Sequence, residues 1–290
     1  MKAENLKTKE EITWCPGCPD NGILSAAREA MADLVNEGKI QAKDVVIVTG
    51  IGCHAKIYDY INVNGFYGIH GRVLPVCLGT KISNRQLTVI GFGGDGDTYA
   101  EGISHFIHAS RYNTDITMIV HNNQVFSLTT GQATPTSEKG FTGASTPFGV
   151  AETPLNPIAM ALESQASFVA RGYALDILHL KNLIKEAINH KGFSFIDVLQ
   201  PCIIFHNVIP YFQKNIYKIG SQNHDSKNLR EALKKSKEWD YGFDKNKRVP
   251  IGVFYKKERA IFEDQWPHFK KPWHTVKRKI EWKAVTNEFK

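Results

Sequence analysis

Four short apolar runs, each closing in a turn of small or amide residues, restrict the fold more than anything else in this sequence. Val45 to Val48 runs into Gly50-Ile51-Gly52-Cys53, and Leu87 to Phe92 runs into Gly93-Gly94-Asp95-Gly96. Ile116 to Val120 reaches Asn122-Asn123, and Phe195 to Leu199 leads to Pro201-Cys202. Such short β-branched runs read as buried strands. Helical spacing lies between them, over residues 21–36, 99–111, 157–171 and 180–190, with a further short strand over 173–176. Strands alternating with helices specify an α/β chain with a doubly wound, mostly parallel sheet. Such sheets bind ligands at the carboxyl ends of their strands. The Gly50, Gly93 and Asn122 turns all lie at such ends.

Beyond residue 205 the alternation weakens. Aromatic and basic residues mix there, as in Trp239-Asp240-Tyr241-Gly242-Phe243 and Trp266-Pro267-His268-Phe269. Residues 1–204 therefore read as one binding domain, and 205–290 as an extension packed on it or on a partner subunit. The net charge is +7, and its excess gathers in Lys234-Lys235, Lys245 to Arg248, Lys256-Lys257 and Lys277 to Lys279. A basic surface can attract an anionic partner. No zinc-finger, RNP-like or helix-turn-helix pattern accompanies it, so nucleic acid is not an expected partner. No apolar run approaches the roughly 20 residues of a membrane span, and residues 1–12 lack the apolar centre of a signal peptide. A cytoplasmic location with no membrane partner is expected.

Gly94-Asp95-Gly96 and Asn122-Asn123 are separated by one helix and one strand, so the two turns are neighbours in space. A hard divalent cation takes oxygen ligands and keeps part of its shell for phosphate and water. Asp95 offers a carboxylate, Asn123 a side-chain carbonyl, and Val125 a backbone carbonyl. The glycines let backbone approach a diphosphate, and the helix that follows favours negative charge at its start. Asp97 and Glu101 read as acids of that helix's first turn. At this spacing the pair of turns resembles the diphosphate motif of thiamine diphosphate enzymes.

The five cysteines, Cys15, Cys18, Cys53, Cys77 and Cys202, are an odd number and do not suggest a disulfide framework. Cys77 sits in the apolar run Val73 to Leu78 and reads as core. Cys15-Pro16-Gly17-Cys18, Cys53 and Cys202 come from separate loops. Four thiolates so placed suit a [4Fe–4S] cluster or zinc, and the Cys15/Cys18 pair alone suits a redox dithiol.

Taken in order, these segments resemble the β subunit of the 2-oxoacid:ferredoxin oxidoreductases. The resemblance rests on Trp14 to Cys18, Gly50 to Cys53, Gly71-Arg72, Gly79-Thr80-Lys81, Gly93 to Asp97, Asn122-Asn123, Thr130-Gly131-Gln132 and Gln200-Pro201-Cys202. It implies a thiamine diphosphate-binding fold with a [4Fe–4S] cluster on Cys15, Cys18, Cys53 and Cys202. It also implies Mg²⁺ on Asp95, Asn123 and the Val125 carbonyl. Ile51, Gly52, Cys53, His54, Gly79, Thr80, Lys81, Gly94, Gly96 and Asp97 match segments around the cofactor, and Lys56 matches a lysine near the substrate pocket. The implied activity is coenzyme A-dependent oxidative decarboxylation of a 2-oxoacid, 2-oxoglutarate before pyruvate, with electrons passed to ferredoxin. An α subunit would supply the activating glutamate, in a heterodimer or a dimer of heterodimers. Pro19 stands where relatives often carry glycine, and Thr130 where some carry a lysine near coenzyme A. A non-redox thiamine diphosphate decarboxylase or synthase subunit, or an electron-transfer subunit, are the competing readings. His54 and His70 are candidates for proton transfer or cofactor contact.

Overall fold

The computed structural model describes residues 1–266, 271–276 and 280–290. Within Trp266 to Phe269 only Trp266 is described, and the Lys277 to Lys279 run lies outside the described residues. In chain order the main elements are α1 (Asp20–Asn36), β1 (Val45–Thr49), α2 (Ile57–Tyr60), β2 (Asn64–Tyr67), α3 (Val73–Ser83) and β3 (Thr88–Gly94). Then come α4 (Ile103–Tyr112), β4 (Thr117–Asn122), a small hairpin of β5 (Val125–Phe126) and β6 (Gln132–Ala133), α5 (Pro157–Glu163) and β7 (Phe168–Tyr173). The chain continues through α6 (Ile177–Asn189), β8 (Ser194–Leu199), α7 (Ile209–Asn215), β9 (Ile216–Lys218), α8 (Leu229–Ser236), β10 (Val249–Lys256) and α9 (Trp282–Asn287).

Eight strands form one sheet in the order β2-β1-β3-β4-β8-β7-β10-β9. Every pairing is parallel except β10 against β7. Successive side chains of a strand point to opposite faces, and here both faces are covered. Ile47, Ile119 and Ile196 pack under α1 and α6, while Val48, Val120 and Phe195 pack under α3, α4 and α5. This two-sided burial explains why the strands read as continuous apolar runs. The mostly parallel α/β class expected from the sequence is what the chain adopts. No helix among the described residues is long and apolar enough to cross a membrane.

Two expectations change. The helix expected over 157–171 ends at Glu163, and its remainder is strand β7. The stop is a Schellman-type turn: the Ala166 amide donates to the Ala161 carbonyl, the Gln165 amide to that of Leu162, and Gln165 takes φ +68°. Glycine usually occupies that left-handed position; glutamine gives no such signal. Residues beyond 205 also do not stay outside the sheet. They add β9 and β10 to it and build a third apolar cluster around Phe212, Trp239, Tyr241 and Ile251.

Helix α1 lies against the end of β7 so closely that a Cβ on Gly22 would sit 2.1 Å from the Ala174 carbonyl oxygen. Helix propensity alone favours alanine over glycine by about 1 kcal/mol. Overpacking against fixed backbone costs about 1–3 kcal/mol. Gly22→Ala should therefore lower the denaturant midpoint; a raised midpoint would show that α1 can slide.

Candidate active site

The four adjacent strands β1, β3, β4 and β8 all end on one side of the sheet, at Thr49, Gly94, Asn122 and Leu199. The residues that follow these ends wall a cavity of about 80 Å³. Ile51, Gly52, Cys53 and His54 come from the first end, Gly94 to Asp97 from the second, His121 and Asn123 from the third, and Gln200 from the fourth. Val125, Phe126 and Ser127 of the hairpin close it. Gly96 is glycine because a Cβ there would lie 2.2 Å from the Phe126 ring, and Gly52, at φ +140°, would drive one into His54.

Asp95 is buried at the cavity wall, and its Oδ2 accepts from Thr134 Oγ1 at 2.6 Å and Thr136 Oγ1 at 2.9 Å. Burial outweighs these two hydrogen bonds and pushes the carboxyl pKa up to about 6. A buried carboxylate in this condition gains from a cation beside it. Asn123 Oδ1 accepts from the Val125 amide at 3.0 Å, while its Nδ2 donates to Ser127 Oγ and to Gln200 Oε1, each at 3.2 Å. A carboxylate, an amide carbonyl and a nearby backbone carbonyl are the oxygen donors a hard divalent cation takes. The residues present fit such an ion.

Asp97 opens a π-helical turn, Asp97–Glu101, between β3 and α4. Its Oδ1 accepts from the Gly71 amide at 2.7 Å and lies 3.3 Å from His70 Nδ1, and its Oδ2 is 3.6 Å from His54 Nε2. Burial alone would raise its pKa, but His54, the Gly71 amide and His70 together hold it below the usual carboxylate range. His121, on β4, places Nδ1 2.6 Å from Asp20 Oδ1. The carboxylate can only accept, so the proton sits on Nδ1. Burial then keeps the imidazole neutral against the pull of Asp20. Its Nε2, buried and without a protein partner, is an acceptor.

All five cysteines are free. Cys53 Sγ accepts from Ser127 Oγ at 3.3 Å and Cys18 Sγ from Gln200 Nε2 at 3.8 Å, so the two groups that hold Asn123 also hold two thiols. Cys202 Sγ accepts from the Phe205 amide at 3.4 Å, and Trp14 Nε1 donates to the Cys53 carbonyl at 2.7 Å. Burial first, then Asp20 and Cys53, pushes the Cys18 thiol up; burial, then Asp20 and Cys202, does the same to Cys53. Thiols this reluctant to ionise alone are ones that a metal centre must draw into the thiolate form. No three of the His, Cys, Asp and Glu residues among those described converge as a single ion would require.

The sequence-expected residues divide clearly. Ile51 to His54, Gly94 to Asp97, Asn123 and Val125 meet at the cavity. Gly79, Thr80 and Lys81 are not among the residues walling it. They lie in α3, where Lys81 Nζ pairs with Asp115 Oδ2 at 2.8 Å, just before β4 begins at the other end of the sheet. Lys56 is also not on the wall; its Nζ donates to the Thr13 carbonyl at 3.1 Å, beside the cysteine loop. His121, Thr134 and Thr136 escaped the sequence reading. The run Thr134-Pro135-Thr136-Ser137 carries no motif that would single it out.

Residues 50–198 match the family model described as the thiamine pyrophosphate enzyme C-terminal TPP-binding domain. Residues 202–271 match the C-terminal model of the pyruvate ferredoxin oxidoreductase β subunit. Over 263 residues the chain is 41% identical to "2-oxoacid:ferredoxin oxidoreductase 1, subunit beta" of Aeropyrum pernix, covering 87% of this chain and 80% of that protein. The chain belongs to the β subunits of the 2-oxoacid:ferredoxin oxidoreductase family. The β subunit from Saccharolobus solfataricus is 43% identical over 267 residues, covering 87% of this chain and 84% of its own. A solved 2-oxoglutarate:ferredoxin oxidoreductase from Magnetococcus marinus, with 2-oxoglutarate, coenzyme A and succinyl-CoA bound, superposes with a TM-score of 0.89 at 28% identity. That likeness covers 99% of this chain and 96% of the other. As a family β subunit, the chain is part of a thiamine diphosphate-dependent enzyme that acts on a 2-oxoacid together with an α subunit.

Proposed function

We propose that this β subunit holds thiamine diphosphate through Mg²⁺ on Asp95, Asn123 and the Val125 carbonyl, and a [4Fe–4S] cluster on Cys15, Cys18, Cys53 and Cys202. With its α subunit it oxidatively decarboxylates 2-oxoglutarate, with coenzyme A as acyl acceptor and ferredoxin as electron acceptor. The observation that carries this reading is the shared wall. Ser127 touches both Asn123 and Cys53, and Gln200 touches both Asn123 and Cys18. These contacts support reading the oxygen-donor pocket and the Cys18 and Cys53 loops as one site.

Bound thiamine diphosphate supplies the electron sink for decarboxylation. The chain supplies the rest. Asp95 and Asn123 would orient the diphosphate end, and Gly94 and Gly96 make way for His54 and Phe126 beside it. The buried floor around His121 and Asn123 excludes water, which strengthens each polar contact. Asp97 stands between His54 and His70 on the cavity wall. A cluster held by the cysteine loops would take up the electrons. Lys56 is the lysine proposed for the substrate side; one of its three ammonium donors goes to the Thr13 carbonyl, beside the cysteine loop. The Magnetococcus structure supports 2-oxoglutarate as the acid.

The test is the chain purified anaerobically with its α subunit. A broad band near ~400 nm that bleaches on adding 2-oxoglutarate with coenzyme A, in protein that carries thiamine diphosphate, is the expected result. Colourless active protein would remove the cluster from the assignment. Bleaching by pyruvate alone would remove the substrate.

A further inference from the structure

Asp197 lies in the middle of β8, paired in register with Val120 of β4 and Arg171 of β7. Both Asp197 and Arg171 are fully buried. Oδ1 of Asp197 accepts from Tyr99 Oη at 2.9 Å and Asn122 Nδ2 at 3.0 Å; Oδ2 accepts from Tyr241 Oη at 2.5 Å. Arg171 donates to Tyr241 Oη at 3.1 Å and to the Pro250 carbonyl at 3.2 Å, with its Nε 3.9 Å from Asp197 Oδ2. Its guanidinium also lies over the rings of Trp239, Tyr241 and Phe254, 5.0–5.3 Å from their centroids.

An ion pair this deep adds little to stability compared with apolar residues of the same volume. What it does is visible in where its hydrogen bonds lead. Asn122, anchored by Asp197 through Nδ2, presents Oδ1 to Thr136 Oγ1 at 3.0 Å. The same hydroxyl is 2.9 Å from Asp95 Oδ2, so its single proton is shared between the two. Thr134 holds the same carboxylate oxygen. The carboxylate is thereby locked against rotation about its Cβ–Cγ bond. An unbroken buried row thus runs from the segment 239–250 to the cavity.

We infer that Asp197 and Tyr241 are positioning residues for Asp95: the row Arg171–Tyr241–Asp197–Asn122–Thr136 fixes the carboxylate for the cation. This rests on the reading of Asp95 as a Mg²⁺ ligand. It also gives the segment beyond residue 205 a task inside the active site, because Tyr241 closes the row. Removing partners that orient a metal ligand costs about 10–100-fold in metal affinity.

The experiment uses the αβ complex stripped of cofactor, with thiamine diphosphate binding followed calorimetrically at a series of Mg²⁺ concentrations. Tyr241→Phe keeps the ring against Arg171 and loses only the hydroxyl. Asp197→Asn keeps the shape and loses the charge. Each should raise the Mg²⁺ concentration for half-maximal binding about tenfold, with turnover recovering at saturating Mg²⁺. Asp95→Asn serves as the reference and should not be rescued by Mg²⁺. A lower melting midpoint with an unchanged Mg²⁺ requirement in Tyr241→Phe marks a purely structural row and overturns the inference. Tyr241→Phe decides alone if Asp197→Asn does not fold. If Asp95→Asn itself binds cofactor as the parent does, the metal-ligand reading fails, and the inference with it.

Discussion

Asp95→Ala, expressed with the α subunit, will lose its thiamine diphosphate on gel filtration in Mg²⁺-containing buffer, and 2-oxoacid-dependent reduction of an electron acceptor will fall by more than about 100-fold. That figure exceeds the 10–100-fold typical when only the partner of a metal ligand is removed. The substitution takes away the one carboxylate among the proposed ligands, Asp95 with Asn123 and the Val125 carbonyl. It leaves Thr134 and Thr136 with hydroxyls that had donated to it. The cysteine loops are untouched, so the visible band should survive. A variant that keeps its cofactor at parental levels would show that the diphosphate is held elsewhere.

Arg171→Ala will destabilise the chain by about 3–5 kcal/mol, the usual result of leaving one member of a buried ion pair alone. Asp197 would then face the core with only Tyr99, Asn122 and Tyr241 around it. Burial already pushes its pKa up in spite of Arg171, and losing the guanidinium removes the charge that opposes this push. The loss also empties the space between Trp239, Tyr241 and Phe254. Denaturant unfolding measures the change, and Arg171→Lys, which keeps a charge but loses the planar fork, should fall between. A loss below about 1 kcal/mol would be no more than an average substitution gives, and would mean that Asp197 is already neutral.

How much of this could be read from residue order depends on how far apart the interacting residues lie. Strands β1, β3, β4 and β8 announced themselves because each carries its own apolar run and its own terminating turn. Asp95 and Asn123 were legible for the same reason: one helix and one strand between them force their turns together. Strand β7 was read as helix because Phe168-Val169-Ala170 continues the apolar spacing of α5 past a cap made by glutamine. Strand β10 was missed because Pro250 and Gly252 interrupt it, and its basic neighbours hide its apolar face. His121 pairs with Asp20 across 101 residues, and Thr134 and Thr136 reach Asp95 across 39 and 41. No local pattern announces contacts of that kind.

A cavity walled by the ends of four different strands has a thermodynamic consequence. Those four ends belong to one sheet, so the walls they carry are in place together only when the sheet is formed. Ligand binding and sheet closure are therefore one equilibrium. At a free cofactor concentration 100 times its dissociation constant, linkage adds about 2.7 kcal/mol to the folded state as a whole. It acts on strands that never touch the ligand as much as on those that do.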